Sequence, residues 1–188
     1  MKIGIIAEDD SDVAVLSEIT STLLRPHHVG FSRFVGAGCG KLRRKCGAWA
    51  RILVRQGCPW IVVVHDLDFR NEQLLRTELS CAIEPARAEA SIVLIPKQEI
   101  ETWLLYDNRA IAAAFHKKQR LPLPGNPESL ADPKRHLRDL VWRRYRKDYL
   151  NMVHNKVIAK HIDVAVLRQS RSFAPHVEFA RTVRGALG

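Results

Sequence analysis

The stretch KIGIIAEDDSDVAVL, residues 2–16, decides how the chain is read. It opens on a short apolar run that does not alternate with polar residues, as expected of a strand covered on both faces. An acidic turn follows, holding Glu8, Asp9, Asp10 and Asp12. Beyond the turn, Val13, Leu16, Ile19 and Leu23 fall on one stripe, which predicts a helix over 11–24 that Pro26 stops. A buried strand running through a tight turn into an amphipathic helix is the opening unit of an α/β sheet.

The rest of the chain repeats that unit. WIVVVH (60–65) and SIVLIP (91–96) read as two more buried strands, and VGFSRFV (29–35) as a weaker one. Helical patterns fit 41–56 and 71–84 between them, and EIETWLLYDNRAIAAAF (99–115) reads as one helix after the last strand. LPLPGNPESLADP (121–133) is a Pro-rich connector, followed by helical patterns near 134–148, 152–168 and 174–186. The order βαβαβαβα predicts a mainly parallel sheet with right-handed crossovers, flanked by helices. We divide the chain into an α/β core over 1–118 and a helical C-terminal extension over 119–188, packed on that core.

With 188 residues, 46% of them hydrophobic, the chain can bury one sizeable core. No run approaches the roughly 18–20 apolar residues of a membrane span. MKIGII passes straight into acids without the long apolar segment of a signal peptide, so a cytoplasmic protein with no membrane partner is expected. Cys39, Cys46, Cys58 and Cys81 form no CxxC pair, and their spacing with His27 and His28 matches no common zinc site. The formal charge is +10, and it is uneven: residues 109–160 hold 13 Lys or Arg against four acids, a net of +9. A basic half opposite an acidic one suits a polyanion held near a cation site; solvated helix faces are the plain alternative.

In open parallel sheets, ligands bind outside the carboxyl ends of the strands. Three predicted strands end there in acids: Glu8 with Asp9, Asp10 and Asp12; Asp66 and Asp68 in HDLDF; Glu99 and Glu101 in PKQEIETW. Two like charges ~5 Å apart at an effective dielectric of ~20 repel by roughly 3 kcal/mol. Several such pairs would consume much of the ~5–15 kcal/mol by which a domain is stable, so a counter-charge is expected. Hard divalent cations, Mg²⁺ above all, take carboxylate oxygens together with phosphates. Singly, each acid has a duller reading: Asp10, Ser11 or Asp12 as helix cap, Glu99 and Glu101 as exposed helix residues. If the second strand ran on, Asp66 and Asp68 would share a face.

Glu8-x-x-x-Asp12 after a first strand and Asp66-x-Asp68 after a later one resemble the Toprim domain of topoisomerases, bacterial primases and overcoming-lysogenisation-defect nucleases. IPKQEIETWLLYD (95–107), NPESLADPK (126–134) and SFAPHVEF (172–179) look like a family of small bacterial Toprim-like proteins encoded beside AAA- or ABC-type ATPases in antiphage loci. The resemblance implies a Toprim-like, Rossmann-like fold and a nuclease using two Mg²⁺ or Mn²⁺ ions, with an ATPase partner. It implies Glu8 as a metal ligand or general acid/base, and Asp66 and Asp68 as ligands. Asp12, Glu99 and Glu101 would support a second ion. Catalysis would rest on Glu8, Asp12, Asp66 and Asp68. Asp9 departs from the pattern, because Toprim-like chains usually carry Gly after the first Glu; the turn can form if the φ of Asp9 is not positive.

On this reading the substrate is nucleic acid, DNA in preference to RNA. Lys134, Lys147, Lys156 and Lys160 are candidates to grip its backbone, and Lys41 sits in a basic loop, VGAGCGKLRRK (35–45), expected near the acidic edge. That loop is not a nucleotide-binding P-loop: only three residues separate Gly36 from Gly40, and Leu42 stands where the magnesium hydroxyl belongs. Trp142, Tyr145 and Tyr149 could stack on bases, but their spacing favours a buried stripe. His65 at a strand end is read as satisfying local hydrogen bonds. The alternative function is a catalytically silent nucleic-acid-binding or regulatory subunit that keeps the fold.

Overall fold

The computed structural model describes residues 1–36 and 38–188. Four strands, β1 (Lys2–Ala7), β2 (Gly30–Val35), β3 (Trp60–Val64) and β4 (Ala90–Leu94), form one all-parallel sheet in the order β2-β1-β3-β4. Ile3 pairs with Phe31 on one side and with Trp60 on the other, and Val62 with Ile92. The fold is α/β, as the strand pattern predicts. The central strands β1 and β3 are buried throughout apart from Lys2, whereas the edge strand β2 is only partly covered.

The alternation of side chains along each strand divides the interior in two. Ile3, Ile5, Val62 and Val64 point to one face, and Ile6, Ile61 and Val63 to the other. The second face is closed by α2 (Cys39–Arg55) and α3 (Glu72–Ile83), through Leu42, Cys46, Leu53, Leu75 and Leu79. These two helices cross closely: a Cβ on Gly47 would lie 2.3 Å from the Ala82 carbonyl oxygen, so only glycine fits. The first face is closed by α1 (Asp10–Leu23) and by the helices after the sheet. Those are α4 (Glu101–Leu104), α5 (Asn108–Ala114), α6 (Pro133–Tyr145), α7 (Asn151–His161), α8 (Val164–Leu167) and α9 (Ala174–Gly185). Leu137, Val141, Ile158, Phe173 and Val183 share one core with the strands, so residues after 119 help bury the sheet. Each such fully buried aliphatic side chain contributes roughly 1.5–3 kcal/mol.

Several local expectations are corrected. The helix expected over 99–115 breaks after Leu104, because Asp107 caps a new one by accepting from Arg109 N at 2.9 Å and Ala110 N at 3.1 Å. The helix expected over 152–168 breaks likewise at Asp163, whose own N–H donates to Asp107 Oδ2 at 3.0 Å. Of the stretch 35–45, Ala37 lies outside the described residues. The part from Cys39 onward is helix, so Lys41 stands on the first turn of α2 and not in a loop. Among the described residues, no helix is long and apolar enough to cross a membrane.

Candidate functional site

The strand order fixes where a crevice can open. From β1 the chain moves through α1 to β2 on one side, then returns through α2 to β3 on the other. The carboxyl ends of β1 and β3 are therefore the switch point, where parallel sheets leave room for a ligand. Glu8 leaves the end of β1 and Asp66 follows β3 by two residues. Asp66 N donates to Glu8 Oε1 at 3.2 Å across the two strand ends.

Around that bond stand the other carboxylates. Asp12 is buried in the first turn of α1, and Glu101 is 1% exposed at the start of α4. Burial raises the pKa of Asp12, Asp66 and Glu101, and mutual repulsion adds to it: Asp66 feels Asp12, Glu101 and Glu8. Glu8 is raised too, by burial first, against the opposing pull of His65. Proximity of like charges in a poorly solvated place disfavours ionisation of all four.

Two oxygens in the cluster have no protein partner: Asp66 Oδ1 and Glu101 Oε2 are both sealed from solvent. The other oxygen of Glu101 is firmly held. Asn155 Nδ2 donates to Glu101 Oε1 at 3.1 Å, and the buried Tyr149 hydroxyl lies 3.1 Å from the same atom and within reach of Asn155. Tyr149 and Asn155 thus orient the carboxylate from behind while its second oxygen stays bare. His65 holds one oxygen of Glu8. Its Nδ1, 2.6 Å from the Asp66 carbonyl oxygen, is 3.1 Å from Glu8 Oε1. Its Nε2 is buried without a partner.

The structure places the remaining sequence candidates variously. Asp68 does not share a face with Asp66, because β3 ends at Val64 and Leu67–Arg70 turns back, with Arg70 N donating to Leu67 O at 2.8 Å. Asp68 is exposed, close enough to Glu8 to raise its pKa, and both Asp68 (φ 47°) and Phe69 (φ 60°) are left-handed. Gln98, also left-handed at φ 63°, holds this strained turn by accepting from Phe69 N at 3.0 Å. Non-glycine residues persist there only where surroundings impose it, and such strain clusters at functional sites. A cleft of about 300 Å³ opens between Asp68, Phe69, Gln98, Glu99, Ala131 and Asp132.

Glu99 is engaged by α6: it accepts from Lys134 N at 2.9 Å. The Lys134 ammonium lies 3.5 Å from Glu99 Oε1 and 3.8 Å from Glu101 Oε1. Burial opposes its charge, yet Glu101, Glu99 and Asp66 hold the ammonium above the usual lysine range. Lys134 is thus inside the acidic cluster. Lys41, Lys147 and Lys160 are exposed, and Lys156 pairs with Glu18 at 3.9 Å. Among the described residues, no three histidine, cysteine, aspartate or glutamate side chains stand already assembled to hold a metal ion.

Sequence reasoning missed the placement of Lys134 within the cluster, and that of Tyr149 and Asn155 behind Glu101. The expected buried stripe is half right. Tyr145 and Tyr149 are buried, but α6 ends at Tyr145, so Tyr149 is off the helix, and Trp142 is 50% exposed. The helix cap expected at Asp10, Ser11 or Asp12 is instead Asp9, whose side chain accepts from the Ser11 and Asp12 N–H groups.

Fold and site together define a class: an open parallel α/β protein with buried carboxylates at its switch point. Within that class, residues 47–179 match the family described as a domain of unknown function (DUF4276), and the chain belongs to that family. The matched span begins within α2, so Glu8 and Asp12 precede it. No curated protein and no solved structure matches the chain.

Proposed function

We propose that the protein is a Mg²⁺- or Mn²⁺-dependent nuclease of the Toprim type. It hydrolyses phosphodiester bonds in nucleic acid, DNA in preference to RNA, as part of an antiphage system with an AAA- or ABC-type ATPase. The resemblance in 95–107 and 126–134 supports the ATPase partner and the antiphage role. The observation that carries the catalytic reading is the pair of buried, unpartnered oxygens, Asp66 Oδ1 and Glu101 Oε2, beside Glu8 at the switch point. Carboxylate oxygens without a donor fit a hard cation.

Glu8, Asp66 and Glu101 would hold such an ion, with Asp12 and Asp68 flanking them for a second. A bound pair supplies a water activated at neutral pH and a counter-charge for the leaving oxygen. The chain's own residues do the rest. His65 fixes one oxygen of Glu8; Tyr149 and Asn155 fix one oxygen of Glu101; Lys134 offers an ammonium to a phosphate at the same edge. Because the carboxylates hold their protons above the usual range, metal affinity rises with pH as those protons leave.

The test is cleavage of a labelled DNA by the purified chain, alone and with its ATPase. Cutting is expected in Mg²⁺ or Mn²⁺ and not in EDTA, with Glu8→Ala and Asp66→Ala each reducing it on the order of 10²–10³-fold or more. If both variants cut like wild type, the site is wrongly placed. A second reading has its own observation: Lys134 already supplies the cluster with one positive charge. On that reading the fold is a catalytically silent nucleic-acid-binding or regulatory subunit, and calorimetric titration with Mn²⁺ shows no binding.

A further inference from the structure

A second feature lies along α6, away from the carboxylates. Arg120, Leu121 and Pro122, after α5, and Leu140, Arg143 and Arg144, on α6, line a groove of about 610 Å³. That volume lies within the range of ligand clefts. All three arginines are exposed. Some surface arginines meet acids: Arg135 meets Asp139 on the same helix, Arg76 meets Glu72, and Arg181 meets Glu178. Among the described residues, none of the three groove arginines is paired with a carboxylate.

Three unpaired guanidiniums around one concavity repel each other and create a positive potential that an anion relieves. Their planar forks match phosphate oxygens, and the walls of Leu121, Pro122 and Leu140 suit the apolar parts of sugar and base. Distance supplies the link to the acidic edge. α6 begins there, with Lys134 N on Glu99, and Leu140–Arg144 follow six to ten residues later. At 1.5 Å per residue the groove lies roughly 9–15 Å along the helix axis. A strand in a duplex advances about 3.4 Å per phosphate, so the interval is about three to four nucleotides.

We infer that the Arg120–Arg143–Arg144 groove binds the phosphodiester backbone of a nucleic-acid strand, about three to four nucleotides from the position held at the acidic edge. What happens at that edge rests on the nuclease reading; binding in the groove does not. The site acts as a phosphate anchor that sets how far the strand must extend beyond the edge. It carries no sequence information, because it touches backbone and not base edges.

The experiment measures binding of a fluorescent 12-nucleotide DNA, single-stranded and duplex, to the full chain in EDTA over a series of salt concentrations. The variant is Arg120→Gln/Arg143→Gln/Arg144→Gln, which keeps most of the side-chain stems and so the packing. Its affinity is expected to fall at least about tenfold, and the slope of log K against log salt to shrink by about two to three, roughly one unit for each phosphate the variant no longer neutralises. Arg135→Gln, which removes an arginine already paired with Asp139, is expected to change the slope by less than about one unit. A triple variant that binds with unchanged affinity and slope overturns the groove. ATP displacing the DNA as effectively as unlabelled oligonucleotide does would also overturn it, in favour of a mononucleotide. A chain that never cuts in Mg²⁺ but shows the slope change keeps the groove and loses the nuclease; one that cuts but shows no change does the reverse.

Discussion

Among the described residues, buried side-chain polar atoms without a partner fall in two places, and the places differ in kind. One is the interface of α1 with α9, where His176 is fully buried among Trp103 and Phe173. Its Nε2 lies 2.9 Å from Thr20 Oγ1, and its Nδ1 has no partner. The other is the carboxyl edge of the sheet, with Asp66 Oδ1, Glu101 Oε2 and His65 Nε2. A lone imidazole in apolar packing is a cost that the surrounding core outweighs. Several carboxylates of one sign, drawn from three strand ends and oriented from behind, form a demand for something positive. Number and convergence separate a site from a tolerated defect, and burial alone does not.

The two places should also respond to pH with opposite signs, and the larger effect belongs to His176. Burial lowers its pKa to about 3, against 6.5 in the unfolded chain. Below 6.5 the unfolded state takes up a proton that the native state refuses, so stability falls as pH drops from about 6.5 towards 3. The shift corresponds to roughly 4–5 kcal/mol over that span. Chemical denaturation at about pH 7 and about pH 4 should show wild type losing several kcal/mol more than His176→Gln, which cannot titrate. Equal losses would mean that His176 is not a buried neutral base.

At the acidic edge the sign reverses. Burial first, then repulsion from Asp12, Glu101 and Glu8, raises the folded pKa of Asp66. A raised carboxylate favours the folded state in acid, and that advantage is gone once pH exceeds both its unfolded and folded values. At about pH 8 in EDTA, Asp66→Asn should therefore be more stable than wild type by about 0.5–2 kcal/mol, although it is expected to be inactive. Saturating Mg²⁺ should narrow the gap, since only wild type gains from binding. An Asn variant that melts below wild type in EDTA would show that Asp66 is satisfied by its surroundings and does not await a ligand.

The contrast also explains what could be read in the sequence. Short apolar runs ending in Glu8, Asp66 and Glu99 located the edge, because strands and their terminal residues are local features. His176 was silent, and Lys134 was read only as one basic candidate among several, because each acquires its place only from elements far away in sequence. Lys134 lies 33 positions beyond Glu101, across a connector with no regular pattern, and nothing in that spacing predicts an ammonium among carboxylates. Glu99 was read as one acid among several, and it is taken up as an anchor for the start of α6. The two missed helix breaks did carry a signal: Asp107 and Asp163 each follow an apolar segment and precede a helical one, as capping residues do.

Asp9 gives the smallest and sharpest test, since the Toprim-like pattern puts glycine there. Its φ is −140°, so no left-handed turn requires glycine. Asp9 instead accepts from Ser11 N at 2.7 Å and Asp12 N at 3.1 Å, while Asp12 Oδ2 accepts from Asp9 N at 3.3 Å, closing a capping box on α1. Asp9→Ala should cost about 1 kcal/mol, or roughly 2–4 °C in melting temperature for a chain of this size. The same carboxylate also raises the pKa of Asp12 and of Glu8 by repulsion. Cap and charge therefore act in opposite directions within one residue. Asp9→Asn separates them, because asparagine caps as well as aspartate and carries no charge. It should melt at or above wild type; if it falls as far as Asp9→Ala, the capping box is not what Asp9 contributes.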